Sequence, residues 1–246
     1  MIPGIDTTRV PRHVALVMDG NGRWAQQRGM KRTEGHAAGE AALFDTVEGA
    51  LDLGVRWMTV YAFSTENWRR PLDEVRFLMR FNESLLLRRR DDLNERGVRV
   101  RVIGRRTGRV PKRVIRHIED TEALTAKNRR MTLTFAFNYG GRAELTDAVR
   151  SIAAEVAGGK LRAEAVDERT IARHLYAPDM PDPDLMIRTS GEFRVSNYLL
   201  WQSAYSEFVF TDVLWPDFRR DHLFSAIRQY QARERRFGGV DTGRKP

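Results

Sequence analysis

The sequence predicts an α/β fold, a single domain built around a mostly parallel sheet, and three observations carry that prediction. Short apolar runs of strand length recur along the chain. Patterns of helical spacing separate most of them, and no repeat, low-complexity tract or linker divides the whole. A length of 246 residues is enough for one large domain with a substantial core. Taken in order, residues 14–18 form a uniformly apolar strand inside "HVALVMDGNGRWA" (13–25), and Asn21 stands where a helix N-cap is expected, for a helix running to Gly29. Residues 37–53 place Ala37, Ala41, Phe44, Val47 and Leu51 on one helical face, with Gly54 as the stop. A second strand spans 55–63, and a helix over 72–93 aligns Val75, Leu78, Phe81, Leu85 and Leu93 before Gly97. Further strands are expected at 98–103, 131–138, 184–188 and 208–210, and the tail "GGVDTGRKP" is expected to fray.

Composition narrows the function classes. There is no cysteine, so disulfides and thiolate metal sites are excluded, in keeping with a reducing compartment. The opening residues lack the basic-then-apolar pattern of a signal peptide, and no apolar run approaches the ~20 residues of a spanning helix. The expected location is the cytosol, peripheral to the inner face of the membrane. The net charge of +9 favours anionic partners, whether nucleic acid, lipid headgroups or phosphorylated small molecules. No nucleic-acid module and no Walker loop is visible, so the expectation is no nucleic acid and no nucleotide phosphotransfer.

Parallel sheets bind ligands beyond the carboxyl ends of their strands, so the loops there are where chemistry is sought. The first strand delivers Asp19 to that edge, followed by Gly20, Asn21, Gly22 and Arg23. Glycines admit close backbone approach and the arginine fork suits phosphate oxygens. A carboxylate beside an anion cradle is reconciled by Mg²⁺, which takes one or two carboxylates together with substrate phosphates. The plainer reading is a glycine turn with Asp19 as its cap, and the string alone does not decide between them. The second strand ends in "YAFSTENWRRP" (61–71), dense in hydroxyl, carboxylate and amide groups. The fourth ends in "NYGGR" (138–142), where tight strand–helix packing explains the glycines equally well. The fifth leads to Arg188, Arg194 and Ser196, a second anion site, and Glu207 opens the last apolar run, where it needs either an arginine or a metal.

This ordered set resembles the cis-prenyltransferases, the undecaprenyl diphosphate synthase family of isoprenyl transferases. The resemblance runs from about residue 13 to 239 and rests on "HVALVMDGNGRWA", "GH" (35–36), "YAFSTENWRRP", "NYGGR", "RTSGEFRVSN", "LLWQSAYSEFVFTDVLWPDF" and "RERRFGG". "STENW", "EVRFLM" and the basic run near 88–90 are most similar to actinobacterial members. The resemblance implies one domain over 13–239, after an N-terminal arm at 1–12 and before a disordered tail at 240–246. It implies a six-stranded sheet, a hydrophobic tunnel for the growing chain, and a homodimer in which "RRFGG" reaches the partner's active site. The implied reaction condenses isopentenyl diphosphate with an allylic diphosphate, geranyl or farnesyl, in cis, releasing pyrophosphate. Asp19 and Glu207 match the Mg²⁺ ligands. Gly20, Asn21, Gly22, Arg23, Trp24, Arg32 and His36 match the allylic diphosphate pocket. Ser64, Thr65, Glu66, Asn67, Trp68 and Arg70 match a second functional loop, and Arg188, Arg194, Val195 and Ser196 the isopentenyl diphosphate site. Asn67 holds a position assigned to proton transfer. An amide is a poor base, so an orienting role is expected, with Asp19 or a diphosphate oxygen taking the proton.

Medium-to-long polyprenyl products are expected, with a short-chain Z-farnesyl diphosphate synthase as the alternative. A catalytically silent binding subunit is disfavoured because Asp19, Arg23, Asn67, Arg188, Arg194 and Glu207 are all present. Met58, Ala62, Leu85, Leu86, Val98 and Met131 are candidates for the tunnel wall or for ordinary core. "DDLNE" (91–95) looks like a trans-prenyltransferase metal motif, but Asp92 stands four residues after Arg88 at a helix end, where an ion pair is expected. Phe193 departs from the family pattern, which carries His or Gln between Glu192 and Arg194.

Overall fold

A computed structural model describes residues 2–233, so the "RRFGG" segment and the tail lie outside the described residues. Among the described residues six strands make one sheet: β1 (His13–Val17), β2 (Trp57–Ser64), β3 (Val98–Ile103), β4 (Met131–Tyr139), β5 (Leu185–Arg188) and β6 (Glu207–Phe210). Their order is β3-β4-β2-β1-β5-β6 and every neighbouring pair is parallel. The helices are α1 (Asn21–Gln26), α2 (Arg32–Asp52), α3 (Leu72–Glu95), α4 (Lys112–Thr125), α5 (Gly141–Ala157), α6 (Glu168–Arg173) and α7 (Arg220–Gln231). An all-parallel sheet is covered on both faces, which is why β1, β4 and β5 are buried at every position. One face packs against Leu43, Val47, Leu78, Leu86 and Phe224, and the other carries a smaller core around Tyr139, Met186 and Tyr198.

The buried face of α2 differs from the predicted one. Gly35, Gly39, Ala42, Leu43, Thr46 and Val47 are buried, while Ala37 and Ala41 are exposed. The reason is close packing. A Cβ on Gly35 would lie 2.0 Å from the Asn21 carbonyl oxygen, and one on Gly39 would lie 2.8 Å from Trp215. An apolar periodicity does not register glycines, so the contact face lies one step round the helix from the apolar stripe. The helix also begins at Arg32, earlier than its apolar residues suggest.

The chain places β2, β4 and β3 on one side of β1 and β5 and β6 on the other. Where the order reverses, the loops leaving the carboxyl ends of β1 and β5 part and open a crevice. Asp19 and Arg188 emerge there side by side.

Candidate active site

Asp19 follows β1, its backbone fixed by Thr189: the Asp19 N–H donates to Thr189 Oγ1 (2.9 Å), and that hydroxyl donates to the Asp19 carbonyl (2.6 Å). Gly20 turns the chain at φ 101°, and any Cβ there would meet Leu214 at 2.9 Å and Ser190 at 3.0 Å. The carboxylate accepts from Arg188 Nη2 (2.8 Å) and the Gly20 N–H (2.7 Å), with Arg23 at 3.8 Å. Burial raises its pKa, but the hydrogen bonds from Arg188 and Gly20 and the two arginine charges prevail and hold the group below the usual carboxylate range.

Arg188, itself buried, also donates to the carbonyl of Arg194 and to Ser196 Oγ (2.6 Å). The loop that carries these partners is bent through left-handed non-glycine residues, Ser190 (φ 77°), Ser196 (φ 50°), Asn197 (φ 62°) and Leu199 (φ 43°). Such residues cost about 1–3 kcal/mol each and gather at binding sites. Asn197 ties the loop to its neighbours by donating to Glu66 (2.8 Å) and accepting from the Arg142 N–H (2.8 Å).

Beyond β2, a short 3₁₀ helix (Thr65–Arg69) presents the second loop. The Asn67 side-chain oxygen accepts from the Ser64 N–H (3.0 Å), which leaves its NH₂ to donate elsewhere. Arg70 pairs with Glu74 at 2.6 Å, and Glu74 also faces Arg32 (3.6 Å) and His36 (3.7 Å). Burial and the positive charge of Arg70 push the His36 pKa down to about 4, against the pull of Glu74, so the ring is neutral at physiological pH.

These groups share a cavity of about 620 Å³. Asp19, Asn21, His36, Ser64, Glu66, Asn67, Arg70, Arg188, Arg194 and Ser196 line its polar part, and Leu43, Ala62, Leu78, Phe81, Leu85 and Phe135 its apolar part. Among the described residues, Asn21 Oδ1, His36 Nε2 and Arg188 Nε are buried without a hydrogen-bond partner, and all three residues border this cavity. They are three of the seven such atoms among the described residues, and gathered at one cavity they offer hydrogen bonds to a polar ligand. The arrangement is an arginine-rich mouth with two carboxylates, Asp19 and Glu66, beside an apolar pouch.

Several expected site residues stand apart from the cavity wall. Trp24 donates to Asp217 (2.7 Å) and lies under Arg28, and Trp68 donates to Asn138 (2.7 Å) while packing edge-on against Phe63. Thr65 abuts Gly140, Val195 packs with the smaller core, and Gly22 leaves room for the Arg32 guanidinium, 2.6 Å from where its Cβ would be. Arg23 reaches across to Ser190 Oγ (2.5 Å) and Glu192 (3.1 Å) and lines a shallower neighbouring hollow. Of the tunnel candidates, Ala62 and Leu85 face the cavity, whereas Met58, Leu86, Val98 and Met131 are core.

Glu207 is not brought to Asp19 within one subunit. It starts β6, level with Leu185 and, one strand further, with Val14, whereas Asp19 lies beyond Val17, level with Arg188 and Phe210. Five residues of strand put the two carboxylates on the order of 16 Å apart along the sheet. Glu207 pairs instead with Arg233 (2.8 Å). Asp19 by itself suits Mg²⁺, which needs only one or two carboxylates when substrate phosphates complete its shell. Asp92 of "DDLNE" pairs with Arg96 (2.8 Å) rather than with Arg88, and among the described residues no cluster of three His, Asp or Glu could hold a metal.

Glu74 and Glu192 stand inside motifs without having been singled out for the site, and Glu40 stands in none. Glu74 and Glu192 each hold two of the expected arginines, and their only signal was an acidic residue close to an arginine in sequence.

The undecaprenyl diphosphate synthase family model (Prenyltransf) matches residues 17–238. The chain is 58% identical over 239 residues to the trans,polycis-polyprenyl diphosphate synthase ((2Z,6E)-farnesyl diphosphate specific) of Thermobifida fusca, covering 97% of this chain and 84% of that one. It is 54% identical over 232 residues to the decaprenyl diphosphate synthase of Mycobacterium tuberculosis, covering 94% and 78%. Among solved structures, lavandulyl diphosphate synthase from Lavandula x intermedia, in complex with dimethylallyl diphosphate, superposes with a TM-score of 0.90 at 37% identity, covering 94% of this chain and 99% of that one. A probable undecaprenyl diphosphate synthase from Campylobacter jejuni gives 0.77 at 29%, covering 93% and 98%.

Proposed function

The chain belongs to the undecaprenyl diphosphate synthase family, and on that premise we propose that it is a Z-polyprenyl diphosphate synthase. It condenses isopentenyl diphosphate with an allylic diphosphate, geranyl or farnesyl, and makes medium-to-long products. The observation that carries this reading is the joining of one cationic mouth, with three unpartnered polar atoms, to one apolar pouch. A diphosphate fits the first and a prenyl tail the second.

In this reading the allylic diphosphate lies by Asp19, Asn21, Gly22, Arg23, Arg32, His36 and Arg70, and isopentenyl diphosphate by Arg188, Arg194 and Ser196. Breaking the allylic C–O bond places negative charge on the leaving pyrophosphate, and arginines already in position stabilise it without reorganising. Asp19 would hold Mg²⁺, which would supply Lewis-acid stabilisation of the same charge. The pouch keeps water from the developing carbocation. The isopentenyl alkene attacks that carbon to form the new C–C bond, and the C2 proton passes to Asp19 or a diphosphate oxygen as the new double bond forms. Asn67, an amide with a free NH₂, orients a substrate rather than removing that proton.

The chain works as a homodimer in this proposal. A second copy covers the edge strand β6, where Phe208 and Phe210 stack and the 77% exposed Phe193 packs on Phe210. Glu207 then serves the partner's metal rather than its own. Release of so apolar a product suits a cytosolic enzyme at the membrane surface. Among the described residues no helix is long and apolar enough to cross a membrane.

Incubation with radiolabelled isopentenyl diphosphate, Mg²⁺ and either allylic primer should give polyprenyl diphosphates, sized by chromatography after dephosphorylation. No incorporation with any allylic primer would refute the synthase reading, and a C15 end product would replace it with the short-chain alternative.

A further inference from the structure

The cavity holds one carboxylate whose position the condensation chemistry does not explain. Glu40 lies on α2 one turn past His36 and lines the cavity, on the helix face that also presents His36, Gly39 and Leu43 to it. One oxygen accepts from Arg88 Nη2 (2.6 Å) and the other from Arg89 Nε (3.0 Å), and only 15% of the side chain is exposed. Arg88 also contacts the Ser84 hydroxyl, and the Arg89 guanidinium lies 4.3 Å from the Phe44 ring centroid. A carboxylate in so apolar a wall is tolerable only while it is fully paired, and removing either partner is costly. An advancing hydrocarbon tail cannot replace those hydrogen bonds.

The placement of the ion pairs gives Glu40 a mechanical role. α2 and α3 are bridged at three levels, by His36 and Arg32 with Glu74, by Glu40 with Arg88 and Arg89, and by Glu48 with Arg96. From the first bridge to the second, α2 advances from residue 36 to 40 and α3 from 74 to 88. At 1.5 Å per residue, that is about 6 Å of α2 against about 21 Å of α3. The surplus stretch of α3 carries Leu78, Phe81, Asn82 and Leu85, which form the cavity wall. From the second bridge to the third both segments advance eight residues and keep step. On α3 the cavity lining stops at Leu85, one turn before Arg88 and Arg89, and on α2 it runs only to Leu43, one turn past Glu40, so the cavity closes beside the Glu40 bridge.

Building on the synthase reading, we propose that the Glu40–Arg88–Arg89 bridge is the stop that limits how far the prenyl tail advances, and thereby sets product length. Radiolabelled products of the unaltered chain, of Glu40→Gln and of the double variant Arg88→Gln/Arg89→Gln test it. Both neutralised forms should shift the main product longer by one or more isoprene units. Glu40→Asp and Arg88→Lys, which keep the charges, should hold the original length. Unchanged or shorter products from neutralised forms that turn over would overturn the proposal. If they fail to fold, the charge-reversed Glu40→Arg/Arg88→Glu/Arg89→Glu chain must restore the original length, and an altered length there overturns it equally. Absence of any product from the unaltered chain is a different result, which refutes the synthase reading itself.

Discussion

The two ends of the cavity use the same pairing of arginine with carboxylate to opposite effect. At the far end both oxygens of Glu40 are taken up by Arg88 and Arg89. At the mouth, Asp19 shares Arg188 with Ser196 and the Arg194 carbonyl, Arg23 divides itself between Ser190, Glu192 and Asp19, and Arg188 Nε has no partner. A satisfied network is structure, while a network with donors to spare is a ligand site. The number of charges does not separate the two ends. Their saturation does.

The largest test of this contrast falls on Asp19. Asp19→Ala should lower turnover by at least about 10³-fold, as removal of a group that organises transition-state charge does, with an unchanged circular dichroism spectrum. Glu207→Gln should also be inactive. If Glu207 acts across the dimer, mixed dimers of the two variants regain about a quarter of the wild-type activity, since random pairing leaves one intact site in half the dimers. No recovery would return Glu207 to a role in its own subunit. 

A smaller effect is expected at His36, which lies between the two ends. Its pKa is depressed to about 4 from 6.5, so the unfolded chain takes up the proton first as pH falls. Its stabilising contribution is complete above about pH 6.5 and is lost as pH drops towards 4, up to roughly 3 kcal/mol in all. Urea unfolding at pH 7 and pH 4.5 measures it, and His36→Gln should reduce the difference, leaving the share of His13, whose pKa burial likewise lowers to about 4. An equal pH dependence in the variant would mean that the ring is not held neutral by the arginine-rich mouth.

The smallest effect belongs to Glu74, which holds Arg70 and faces Arg32. Glu74→Gln should raise the KM for the allylic diphosphate roughly tenfold with little change in kcat, the mark of lost positioning before the transition state. A fall in kcat at constant KM would place Glu74 in the chemical step instead.

Much of this was legible in the sequence. Strand ends identified by apolar runs carried Asp19, Asn67 and Arg188 to one crevice, because a parallel sheet sends every such loop to the same edge. What stayed hidden depended on side chains reaching between elements far apart in sequence. Trp24 and Trp68 read as binding residues from their motifs, and no motif states that their indole N–H groups donate to Asp217 and Asn138. Glu207 read as a partner of Asp19, but sheet register, which no motif states, sets it at the other end of its strand. Glu40 gave no signal, since its meaning lies in Arg88 and Arg89, 48 and 49 residues away.

The pairing of β1 with β5 also governs when the site exists. Asp19 and Arg188 are 169 residues apart in the chain, and the strands that carry them are neighbours. During synthesis at about 5–20 residues per second, β1 is made first and waits for most of the polypeptide before its second neighbour arrives. Contacts of such long range are made slowly. The mouth therefore assembles last, and a chain halted before β5 has the first carboxylate but no active centre.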